Sequence, residues 1–126
     1  MNAKLLNPSV LAFVGDAVYG LYVREKLSDT SRKSGDLHSL SVKIVNASAQ
    51  AKAYEKIENL LTQEEISVFK RGRNLHTSNN PKNSTHSEYH TATGLESLFG
   101  YLHLSGQEKR ARELFEIIWT DFLDTL

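Results

Sequence analysis

Apolar residues recur three and four positions apart along most of the chain, and the alternating runs that mark half-buried strands are nearly absent. The pattern predicts helices separated by polar loops. Asn7-Pro8 offers an N-cap followed by proline at the first helical position. Val10, Val14, Ala17 and Leu21 then form an apolar stripe, flanked by Leu11, Val18 and Tyr22, and the helix should fade near Leu27. Asp36 is placed to cap a second helical region, bent near Asn46, that runs to about Ile57. Thr62 with Glu65, Thr85 with Glu88 and Ser105 with Glu108 each have capping-box spacing, and each should open a further helix. Residues 74–84 are polar, include Asn79-Asn80-Pro81 and read as a loop. Together these signals predict one all-α domain over residues 1–126, with five or six helices.

Composition narrows the class only a little. The chain has 126 residues, 40% of them hydrophobic and 24% charged, as expected for a globular domain with a real core. It has no cysteine, which excludes disulfides and thiolate metal sites. Neither a membrane-length apolar run nor a signal-peptide pattern is present, so the expectation is a cytoplasmic protein.

Fifteen basic residues balance fifteen acidic ones, but they are unevenly spread. From Ile66 to Ser87 there are Lys70, Arg71, Arg73 and Lys82, with His76 and His86, and no acid at all. Acids collect instead near the C-terminus, as Glu108, Glu113, Glu116, Asp121 and Asp124. A local basic segment on a neutral chain fits a face that meets phosphate; a solvated basic loop is the plainer alternative.

The stretch FVGDAVYG, Phe13 to Gly20, places a carboxylate and two glycines inside a helix. Each glycine costs about 1 kcal/mol relative to alanine there, which makes sense where a close approach is needed. A later helix repeats the arrangement: DAVYG (Asp16–Gly20) and ESLFG (Glu96–Gly100) each put a carboxylate four residues before a glycine. Helices crossing at those glycines would bring Asp16 and Glu96 together as hard oxygen ligands suited to Mg²⁺. The alternative is that each carboxylate pairs with a base such as Arg24 or Lys43.

These segments resemble a known family. VLAFVGDAVYGLYV is similar to the signature helix of the ribonuclease III endonucleases, LHSLSVKIVNASAQA to their second shared helix, and GLESLFGYLHL to their later metal-ligand helix. The set FVGDA, KRGRN, PKN and TATGLESLFGYL resembles the Mini-ribonuclease III branch, which has the catalytic domain without a double-stranded-RNA-binding domain. The likeness runs from Pro8 to Leu104, and the chain leaves no room after its last helix for such an added domain.

The resemblance implies a ribonuclease III-like helical fold of five to seven helices, assembled as a homodimer. It also implies a Mg²⁺-dependent endoribonuclease, with Mn²⁺ as a substitute, that cuts double-stranded RNA to 5′-phosphate and 3′-hydroxyl ends. Asp16 and Glu96 match the catalytic and metal-binding acids. Further acids of the larger enzymes fall at Ser9, Ala12 and Thr93 and are missing here, as they are in the Mini branch. A large-subunit (23S) ribosomal RNA precursor is the implied substrate, with a ribosomal protein as a possible helper.

On this reading Lys70, Arg71, Arg73 and Lys82 meet phosphates, and Asn74 and Asn83 reach 2′-hydroxyls. Arg73 could equally brace Glu88 or a helix end. Phe13 and Tyr19 are either dimer contacts or core. None of the five histidines forms a close-spaced ligand pair, His38 reads as a core or interface residue, and Trp119 and Phe122 read as core. A non-catalytic dimeric RNA-binding domain is the alternative function, against which the retention of both acids argues.

Overall fold

The computed structural model describes residues 2–29, 33–75 and 85–123. Six α-helices follow one another: α1 (Pro8–Ser28), α2 (Ser34–Val45), α3 (Ala47–Ile57), α4 (Gln63–Arg73), α5 (His86–Leu104) and α6 (Glu108–Leu123). Short 3₁₀ turns at Ala3–Leu5 and Glu58–Leu60 complete the order, and no strand occurs among the described residues. The all-α expectation holds.

Most helix starts lie where their capping residues put them. The Asn7 side chain accepts the amide of Ser9, with Pro8 opening α1. Thr62 with Glu65 and Thr85 with Glu88 form full capping boxes on α4 and α5. Asn46 makes the predicted bend: its Oδ1 caps α3 through the Ala49 amide while its Nδ2 closes α2 on the carbonyls of Val42 and Lys43. Two caps differ from expectation. Lys33 stands at the N-cap of α2 with no side-chain cap, leaving Asp36 in the first turn. Ser105 closes α5 instead of opening α6, because Gly106, at φ 76°, turns the chain so that the Ser105 hydroxyl reaches back to the Tyr101 carbonyl. Glu108 then pairs with Arg112 rather than returning to Ser105.

α5 is the axis around which α1, α3 and α4 pack. Leu95, Leu98, Phe99 and Leu102 are enclosed on it. Tyr19 of α1 meets Phe99 and Phe115 edge-on, with ring centres 5.4 Å apart in each case, and so ties α1, α5 and α6 together. Trp119 is buried and Phe122 partly buried against the same core, as expected.

The stripe predicted for α1 faces the core only through its flank and the half-buried Val14. Leu11, Val18, Tyr22 and Val23 are buried, whereas Val10, Ala17 and Leu21 are exposed. α1 is apolar nearly all round, so periodicity alone could not choose its inner face. Phe13, 80% exposed, extends this outer apolar surface, whereas Tyr19 is core. His38 is exposed on α2 and is not a core residue.

Candidate active site

The site begins with two backbones in contact. A Cβ placed on Gly15 would lie 1.6 Å from the Glu96 carbonyl oxygen, and one on Gly100 would lie 1.9 Å from the Leu11 carbonyl oxygen. α1 and α5 therefore cross at Gly15 and Gly100, a spacing that no residue with a side chain permits. The alignment of DAVYG with ESLFG paired Gly20 with Gly100, and this is corrected. Gly20 is covered by its own helix, where Arg24 donates to its carbonyl at 3.0 Å.

The crossing brings the Asp16 and Glu96 side chains into hydrogen-bonding contact. Asp16 is exposed at the rim, and Glu96 is set deeper. Burial pushes the Glu96 carboxyl up to about 8, helped by its hydrogen bond to Asp16 and by the Asp16 charge, while Gln50 acts in the opposite direction. Near neutral pH the metal-free pair therefore holds a proton between two acids. Neither acid forms an ion pair with Arg24, Lys43 or any other base among the described residues.

This pair suits a divalent cation, whose charge would relieve the repulsion that the proton now relieves. No cluster of three or more His, Cys, Asp or Glu ligands exists among the described residues. Two carboxylates with a share left to water and substrate is the donor set that Mg²⁺ accepts. Thr93, where larger family members carry an acid, spends its hydroxyl on the Tyr89 carbonyl of its own helix.

Residues 9–107 match the ribonuclease III domain family. The chain belongs to that family. It is accordingly a ribonuclease III-type endoribonuclease. Curated relatives named Mini-ribonuclease 3 include a Thermoanaerobacter sp. protein, 42% identical over 113 residues that cover 89% of this chain and 80% of that one. The Symbiobacterium thermophilum relative of the same name is 38% identical over 98% of this chain and 95% of its own. A crystal structure of a Fusobacterium nucleatum protein superposes with a TM-score of 0.85 at 28% identity, covering 96% of this chain and 98% of that one.

The basic residues chosen from the sequence divide in this ribonuclease III domain. Arg71 donates to the carbonyls of Lys4 and, at 2.9 Å, Leu6, so it clasps the N-terminal segment. Arg73 donates to Asn74 and lies over the Phe69 ring at 5.8 Å. Glu88 is taken by Thr85 and Ser48, so bracing of Arg73 by Glu88 is not what the fold uses. Lys70 is exposed and, with Arg73 and Lys52, lines a groove of about 620 Å³ between α3, α4 and α5. Asp16 and Glu96 do not line that groove. Lys82, Asn83 and His76 lie outside the described residues.

Two features escaped the sequence reading. His86 and His90, one helical turn apart on α5, stack their rings with centres 5.8 Å apart. Gln50 is 2% exposed on α3 beside Glu96, and its Nε2 has no hydrogen-bond partner. Its position three before Ala53 and seven before Ile57, both core residues, was the available signal.

Proposed function

We propose that this endoribonuclease cuts double-stranded RNA in a Mg²⁺-dependent reaction, leaving 5′-phosphate and 3′-hydroxyl ends. Its substrate in this reading is a large-subunit (23S) ribosomal RNA precursor in the cytoplasm, on occasion with a ribosomal protein as helper. The observation that carries the proposal is the contact of Asp16 with Glu96 at a helix crossing, in a chain of this family. The choice of RNA follows from the family resemblance.

Asp16 and Glu96 would hold the ion, which when bound supplies Lewis-acid activation of water and neutralises charge on the phosphate. The chain does the rest. Gly15 and Gly100 fix the separation of the acids through main-chain contact. Glu96 would release its proton to solvent water on binding the ion. Lys70, Arg73 and Asn74 at the end of α4, with Lys82 and Asn83 beyond it, hold the duplex by phosphates and 2′-hydroxyls, as befits a shape-read RNA helix. Arg71 supports them by anchoring the N-terminal segment.

Two strands need two sites, and a homodimer supplies them. The outer face of α1 supports this, because Phe13, Val10 and Leu21 are apolar and exposed. The test incubates wild type and Asp16→Asn with duplex RNA and Mg²⁺, maps the product ends, and measures mass in solution for wild type and Phe13→Asp. Cleavage by wild type alone, and a dimer lost in Phe13→Asp, are expected. Duplex binding without cutting by wild type would overturn the catalytic reading in favour of an RNA-binding domain.

A further inference from the structure

Gln50 is the exception on its helix. Its neighbours are satisfied: Asn46 caps α3, and the Ser48 hydroxyl donates to Glu88 at 2.9 Å. Gln50 instead carries a primary amide on the buried stripe, and its Nε2 has no hydrogen-bond partner. A methionine or leucine would fill nearly the same volume without burying an orphaned donor. Packing therefore does not explain the amide.

Its surroundings do. α3 packs against α5, and there the buried amide comes within reach of the Glu96 carboxyl. Tyr19, whose hydroxyl is also buried and unpartnered, feels Glu96 only through its charge. In the metal-free chain Glu96 is engaged with Asp16, and the Gln50 amide is drawn to the same carboxyl without completing a hydrogen bond through Nε2. A carboxylate that gives one oxygen to a cation still has another to satisfy, and Gln50 is the donor the fold keeps next to it. Donors of this kind set the orientation of metal-binding side chains.

We propose that Gln50 is a positioning residue, whose amide N–H holds the Glu96 carboxylate in the orientation that lets it share a divalent cation with Asp16. The inference rests on the reading that these two acids bind a cation together.

The test uses Gln50→Met, with Gln50→Leu as a second variant in case one packs badly. Mn²⁺ binding to the RNA-free protein is followed by electron paramagnetic resonance up to millimolar concentrations, alongside thermal unfolding, kcat and KM. Gln50→Met should melt at or above the wild-type temperature, because it removes an orphaned polar group. Its Mn²⁺ affinity should nevertheless fall about 10- to 100-fold. Its kcat should fall with it and recover with added Mn²⁺, while KM for RNA stays within about twofold, since the phosphate contacts are elsewhere. Wild-type Mn²⁺ affinity in a folded variant overturns the inference. So does a loss of affinity that comes only with lost helical structure in both variants, which would make Gln50 a packing residue. If Asp16→Asn binds as much Mn²⁺ as wild type, the shared-cation reading fails first, and this inference falls with it.

Discussion

Replacing Gly15 by alanine tests the helix crossing directly. The new Cβ would sit 1.6 Å from the Glu96 carbonyl oxygen, 2.5 Å from its carbon and 2.8 Å from the Gly100 amide nitrogen. Ordinary contact begins near 3.4 Å, so α1 and α5 must part locally by about 1.8 Å. The obstruction is main chain of the central helix and cannot swing aside. Overpacking costs about 1–3 kcal/mol in general, and this case belongs at or above the top of that range. Better helix propensity returns about 1 kcal/mol, so a net loss of about 2 kcal/mol or more is expected. The same shift moves Glu96 away from Asp16, and a 1 Å displacement of reacting groups can cost about 100-fold in rate. Gly20→Ala is the control. Its Cβ would meet only the Arg24 guanidinium, 2.8 Å away on a flexible, exposed side chain. Losing the Arg24 bond to the Gly20 carbonyl offsets the propensity gain, so stability should change by less than about 0.5 kcal/mol. Urea unfolding at one fixed protein concentration, with cleavage of a duplex RNA, measures both variants. Equal stability and activity in Gly15→Ala and Gly20→Ala would refute the crossing as described.

Other consequences can be measured separately. Because Glu96 ionises only near pH 8, apparent Mg²⁺ affinity should rise about tenfold per pH unit up to that point, and the slope in a metal titration should vanish in Glu96→Gln. Without metal the sign for stability is opposite. The Glu96 carboxyl is raised on folding, so its contribution is full below its unfolded value of 4.5 and is lost as pH climbs through about 8. Chemical unfolding at pH 6 and pH 8.5 should show the metal-free protein more stable at the lower pH. Arg110 grips the buried Glu65 with two hydrogen bonds, of 2.9 and 3.0 Å, and also bonds to the Leu60 carbonyl. Arg110→Ala should therefore cost about 3 kcal/mol in urea unfolding while leaving kcat at its wild-type value. Removing Lys70 or Arg73 should weaken duplex binding whatever its sequence and flatten the log–log salt dependence by just under one unit each; an unchanged slope would remove that residue from the phosphate contacts.

The readable parts of the sequence were those governed by local chemistry. Capping residues at Asn7, Thr62 and Thr85, and the bend at Asn46, act within a few positions, so their effect appears in the letters themselves. The pairing of Asp16 with Glu96 was legible because a carboxylate and a glycine recur on two helices. Which glycines meet was not, because a crossing depends on how each helix is rotated, and spacing within one helix carries no such information. The inner face of α1 was hidden for a related reason: Val10 and Leu21 are as apolar as Leu11 and Val18, and only the presence of α5 distinguishes them. Ser105 misled because Gly106, at positive φ, gave its hydroxyl to the helix before it. Gln50 went unread because one amide among alanines gains meaning only when Glu96 is brought beside it.

A main-chain crossing also changes what mutation can do to this protein. The reach between the two acids is set by two peptide backbones in contact, so it does not depend on the size of any core side chain. Substitutions around Phe99, Phe115 or Trp119 can lower the melting temperature and still leave the reactive geometry intact. Drift in the apolar core therefore trades against thermal tolerance more than against turnover, and a stabilised variant of this scaffold could be sought at most positions other than Gly15, Gly100, Asp16, Glu96 and Gln50.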